Sequence, residues 1–168
     1  MESRLKVLGH PVHPMLVMFP VALLVTAVLF DVVATLGGPD FLGEVAYWNI
    51  TVGLAVGLLA AAAGTFDLLA IPTGTRAKRV ALTHAAANVA MILLFAAVWA
   101  VRLNADSRAA GGALIAIEIV ALAILGVSAW LGGELVDRLG VGVDRDADLD
   151  APSSLRPAMS AQRIGDVR

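Results

Sequence analysis

The chain contains no cysteine. Disulfides, thiolate metal sites and iron–sulfur clusters are therefore excluded, and any metal or haem would have to be held by histidine, carboxylate or methionine. Charge is also scarce. Only 15% of the 168 residues are Asp, Glu, Lys or Arg, against roughly 25% in an ordinary soluble domain. The net charge of −2 gives no reason to expect a nucleic-acid partner. There is no glycine-rich phosphate loop, no G-x-S-x-G elbow and no H-E-x-x-H pair, so the reading leans away from an enzyme. Ser128 is present, but no histidine lies near it in sequence or in expected depth.

What the chain has in excess is apolar surface: 59% of its residues are hydrophobic, and mean hydropathy is +0.84. A chain of this length holds one domain, and a soluble core of that size cannot hide so many apolar side chains. Lipid can. Crossing a hydrocarbon layer of about 30 Å takes about 20 mostly apolar helical residues. Four stretches qualify: Pro14 to Leu36, Tyr47 to Ile71, Val80 to Leu103 and Gly112 to Val136. The runs are continuous rather than alternating, which argues against a β-barrel. Breaks fall at Gly37-Gly38-Pro39-Asp40, at Pro72-Thr73-Gly74-Thr75, and at Asn104-Ala105-Asp106-Ser107 with Gly111-Gly112. Connections this short predict an all-α, up-down-up-down bundle of four transmembrane helices over residues 1–142. The first stretch is longer than a signal-peptide core and lacks a clear cleavage site, so it is expected to be retained.

Lys and Arg set the expected orientation. Arg4 and Lys6 precede the first span, the connection between the first two spans has neither type, and Arg76, Lys78 and Arg79 follow the second. Arg102, at the very end of the third span, and Arg108 are counted with the connection to the fourth, and Arg138 and Arg145 follow the fourth. The balance predicts an inner-membrane protein with both termini cytoplasmic. Residues 143–168, rich in Asp, Ala, Ser, Pro and Arg, read as a disordered cytoplasmic tail. Gly53, Gly57, Ala61 and Gly64 form a ladder of small residues on the second span, which suits close helix packing within the chain; a homo-oligomer contact is the alternative.

Ionisable groups at membrane depth are costly and usually face the bundle interior. One predicted layer lies at the cytoplasmic end and holds all three histidines: His10, His13 and His84, with Asp67, Asn88 and Glu134. His84 and Asn88, four apart, share a helix face. Asp31, Asn49 and Glu118 form a second layer nearer the outer side; without a histidine it excludes a second bis-histidine haem. Glu118 and Glu134 point about 160° apart on a regular helix, so both face the axis only if the fourth span bends, for example near Gly126. Pro11 and Pro14 suit a helix start and stiffen it around both imidazoles.

These residues resemble a bacterial membrane family of unknown function, domain-of-unknown-function family 2231. The similarity rests on His10-Pro11-Val12-His13-Pro14 with Phe19-Pro20, then Asp31, Trp48, Gly57, Gly64, Asp67, His84 and Asn88. It continues through Leu131-Gly132-Gly133-Glu134-Leu135-Val136 to Gly140-Val141-Gly142-Val143. The family often carries a histidine just before the last motif, where this chain has Leu139; its role here is either missing or taken by Asp137 or Glu134. Relatives resemble domains fused to Rieske-type or cytochrome modules, which implies redox surroundings and a redox partner protein.

Three functional readings follow. The first is haem b or a divalent metal, zinc or iron, at the cytoplasmic end. His13 and His84 would be the haem ligands; His10, His13, Asp67 and His84 would be the metal ligands, with Asn88 or Glu134 behind them. The second is a structural or accessory subunit whose polar layer only fixes helix packing. The third is a proton or small-solute path in an oligomer, stepping through Asp31, Asn49, Asp67 and Glu118.

Overall fold

The computed structural model describes residues 1–105 and 108–155. Four helices fill it: α1 (Val12–Thr35), α2 (Phe41–Ala70), α3 (Arg76–Arg102) and α4 (Gly112–Gly133). All four are long and apolar enough to cross a membrane, and only 17–28% of each candidate span is buried. The large apolar side chains Leu29, Leu58, Leu59, Phe66, Leu93 and Val120 point outward instead. Such an exterior is stable in lipid and unstable in water.

The helix ends follow from local chemistry. A two-stranded hairpin, β1 (Lys6–Val7) and β2 (His10–Pro11), leads into α1. Its turn residues Leu8 and Gly9 both have positive φ, as the tightest hairpin turn requires. α1 closes where the Gly38 N–H donates to the Val33 carbonyl and the Gly37 N–H to the Ala34 carbonyl, with Gly37 at φ 94°; glycine adopts that conformation without steric cost. α2 and α3 begin earlier than hydropathy alone indicates. Glu44 sits in the first turn of α2, where a carboxylate favours the positive end of the helix dipole. Thr75 caps α3 by accepting from the Lys78 N–H. After Gly133 the chain continues as one wide π turn, Glu134–Arg138. α4 itself runs unbroken through Gly126, and Glu134 lies beyond it in the π turn.

The central core joins Leu24, Ala27 and Val28 of α1 to Ile50 of α2, Met91, Phe95 and Val98 of α3, and Ala121 and Leu125 of α4. α1 packs tightly on α2 through the glycine ladder. A Cβ at Gly53 would meet Leu24 at 3.1 Å, one at Gly57 would touch Pro20 at 3.6 Å, and one at Gly64 would clash with the His13 ring at 2.9 Å. These small residues thus serve packing within the chain.

The N-terminal segment is tied across the bundle end. The Met1 ammonium donates to the Gly140 carbonyl, and the Gly142 N–H donates to the Met1 carbonyl. Lys6 pairs with Glu2 and Asp144. Residues 143–155 form turns without a helix and are mostly exposed; the rest of the expected tail, 156–168, and residues Asp106 and Ser107 lie outside the described residues.

Candidate functional site

Two polar clusters occupy opposite ends of the helices. The first is built around His13 and His84. His13 stands in the first turn of α1, and its ring occupies the space that Gly64 leaves by having no side chain. Its Nδ1 donates to the Ala60 carbonyl at 2.8 Å, fastening α1 to α2. His84 of α3 has its Nδ1 2.9 Å from the Ser128 carbonyl oxygen and 3.0 Å from Ser128 Oγ. A carbonyl only accepts, so this nitrogen carries the hydrogen. The other ring nitrogen, Nε2, then accepts from the Asn88 amide at 3.0 Å. The two imidazoles meet edge to face, with ring centroids 6.4 Å apart.

His13, His84 and Asn88 thus come together at one end of the bundle. The remaining members of the expected layer do not join them. His10 sits on the exposed hairpin with Nδ1 turned back to the Leu8 carbonyl, because the Leu8-Gly9 turn carries β2 away from the helices. Asp67 accepts from the Ser3 hydroxyl and from the Arg4 N–H at 2.6 Å, so the N-terminal segment takes up its charge. Glu134 pairs with Arg76 at the start of α3. Consequently the four proposed metal ligands do not converge, and among the described residues no three His, Asp or Glu side chains form a group able to hold a metal ion. The haem pairing fits no better, since the Nε2 that would face iron on His84 is occupied by Asn88.

The expected isolation of Ser128 from histidine is overturned, because α4 brings it against His84. The hydrogen on His84 Nδ1 nevertheless prevents that nitrogen from acting as a base toward the hydroxyl. The leucine that stands in place of the familial histidine, Leu139, packs with Ile71, Ala81 and Leu135. That position is apolar filling in this chain.

The second cluster has a centre that the sequence reading assigned to a loop: Arg102, the last residue of α3. Its guanidinium is fully buried, as are Asp31 of α1 and Glu118 of α4. Asp31 takes two parallel bonds, 2.7 Å from NH1 and 2.9 Å from NH2. Glu118 Oε1 lies 3.2 Å from NH1. NH2 also donates to the Gly43 carbonyl of α2 at 2.8 Å, and Nε to the Arg108 carbonyl at 2.8 Å. All five N–H groups of the guanidinium are therefore used, and partners come from every other helix. Asn49, the third member of the expected outer layer, stands apart and donates to Thr26 of α1. Arg108 lies over the Tyr47 and Trp48 rings, 4.6 and 5.5 Å from their centroids.

The sequence matches a known family. This chain belongs to the family described as predicted membrane protein DUF2231, with the match spanning residues 9–145. No curated protein and no solved structure shows significant similarity to it. The DUF2231 match runs from the hairpin to the segment after the π turn, so it covers both polar clusters and all four candidate spans.

Sequence reasoning missed Arg102 because it stands at a span boundary, where arginine is ordinary. The available signal was stoichiometric: Asp31 and Glu118 lie inside spans and require a cation, and Arg102 is the basic residue that α3 offers at their depth.

Proposed function

We propose that this chain is a structural or accessory protein of the inner membrane, in which a buried ion-pair cluster and a half-buried histidine cluster hold four alternating helices in register. Both termini face the cytoplasm. The observation that carries this reading is the use of all five Arg102 N–H groups by acceptors on three other segments of the fold and on α1. A satisfied network of this kind rigidifies a bundle and specifies one packing. The histidine cluster works in the same way, because both Nδ1 atoms are spent on carbonyls of neighbouring helices. Orientation gains support from Arg102. Once it is buried in an ion pair, Arg108 is the remaining basic residue of the α3–α4 connection, against Arg76, Lys78 and Arg79 in the α2–α3 connection.

Absorption spectroscopy and elemental analysis of the detergent-purified protein test the reading. The expected result is no Soret band and no stoichiometric metal, with His84→Ala lowering stability and releasing nothing. A haem spectrum, or one equivalent of zinc or iron lost in His13→Ala or His84→Ala, overturns it. Topology is checked with single cysteines in this naturally cysteine-free chain. Thr73→Cys should be shielded from an impermeant thiol reagent in intact cells and Glu44→Cys should react; the reverse pattern refutes the orientation.

A further inference from the structure

The Arg102 cluster contains one positive group and two carboxyls, all removed from solvent. Asp31 occupies the two-pronged face of the guanidinium, while Glu118 has a single, longer contact through Oε1. Glu118 Oε2 is buried and has no hydrogen-bond partner. Both carboxyls lie against the same guanidinium nitrogen, Asp31 Oδ2 at 2.7 Å and Glu118 Oε1 at 3.2 Å from Arg102 NH1.

We propose that Glu118 is a membrane-embedded proton-binding site, carrying an exchangeable proton that bridges its carboxyl to that of Asp31. Two ionised carboxylates against one guanidinium nitrogen offer only acceptors to each other. One proton between them turns repulsion into a strong O–H···O⁻ bond, an arrangement that carboxyl pairs in dry sites adopt. The proton also brings the cluster to zero net charge: Arg102 positive, Asp31 negative, Glu118 neutral. Leaving the charge on Glu118 would bury an anion with an unsatisfied oxygen, which is far costlier than burying an acid.

The groups facing the site are Asp31 from α1, the Gly43 carbonyl from α2, Arg102 from α3, and the Arg108 carbonyl with the Ala110 N–H from the segment before α4. Among the described residues, none of these groups supplies a second cation. A cleft lined by Ala34, Thr35, Asp40, Ala109 and Ala110 opens beside the cluster. Ala110 donates to Asp31, and the Thr35 hydroxyl donates to the Asp31 carbonyl. This inference does not depend on the scaffold reading, since bound haem or metal at the histidine end would leave it untouched.

Infrared difference spectroscopy of the full chain in lipid, perfused between acidic and alkaline buffer, tests it. Wild type should show a carbonyl band of a protonated carboxylic acid at neutral pH, shifted in D2O and lost in alkali. Glu118→Gln, which mimics the neutral acid, should lack that band and keep wild-type thermal stability, whereas Asp31→Asn should be clearly destabilised. The proposal is overturned if wild type has no such band, if Glu118→Gln retains it, or if Glu118→Gln is destabilised as much as Asp31→Asn. Loss of the band on adding sodium at constant pH overturns it too, because the site would then be a cation site.

Discussion

Replacing Arg102 with methionine keeps an unbranched stem but shortens the side chain and deletes its charge and all five donors. The cost can be worked in two ways. Removing one partner of a buried ion pair typically destabilises by about 3–5 kcal/mol, because the other charge is left uncompensated. Counted as interhelical hydrogen bonds in a membrane, at an average of about 0.6 kcal/mol each, five bonds give about 3 kcal/mol. The Gly43 carbonyl lies within α2 and keeps a backbone partner, so the orphaned groups are Asp31, Glu118 and the Arg108 carbonyl. The two routes agree on a loss of about 3–5 kcal/mol. Unfolding by SDS in mixed micelles, followed by fluorescence of the three tryptophans, measures it. Arg102→Lys retains the charge but not the two-pronged geometry and should fall between the two. The triple variant R102M/D31L/E118L should recover most of the loss, since no buried charge then remains. An Arg102→Met protein within about 1 kcal/mol of wild type would refute the argument, because the cluster would then not hold the helices together.

Gly64→Ala should cost about 1–3 kcal/mol, since the new Cβ meets the His13 ring at 2.9 Å and that ring is tethered to Ala60; an unchanged midpoint in the same assay contradicts the close approach of α1 and α2. His84→Ala should lower the midpoint, and His84→Asn should restore part of it if the bond to the Ser128 carbonyl is what matters. The N-terminal segment should loosen in acid. The Lys6 hydrogen bond holds Glu2 below the ordinary carboxylate range, and the Asp146 N–H followed by Lys6 does the same for Asp144. Groups with lowered folded values stabilise at neutral pH, and that contribution is lost as pH falls through those values. Exchange protection of the Val12 N–H, which donates to the Leu5 carbonyl, reports it; equal protection from neutral pH down to about pH 2 refutes the link.

Much of this fold is legible in the chain because lipid imposes strict demands. Four apolar runs could hardly be anything but helices, and Gly53, Gly57 and Gly64 announced a close approach that α1 fulfils through Leu24, Pro20 and His13. The depth of His13 and His84 was readable by counting turns from the helix ends. What could not be read was how the short N-terminal segment folds back. Depth predicts which residues share a level but not which partner claims each one. Ser3 and Arg4 reach Asp67 first, and a hairpin turn lifts His10 outward. Arg102 and Ser128 were hidden for the complementary reason: their partners lie 71 and 44 residues away, on helices whose rotation the sequence does not fix.

The pairing of Asp31 with Arg102 also bears on how the protein is made. Asp31 leaves the ribosome well before its counterion; an unpaired aspartate costs about 2.5–3.5 kcal/mol at the centre of a helix entering the bilayer and less toward the end of α1, where Asp31 stands. The first helix should therefore linger in the insertion machinery until the third emerges and the two neutralise each other. Release into lipid then happens as a group rather than helix by helix, and α4 closes over an ion pair already formed.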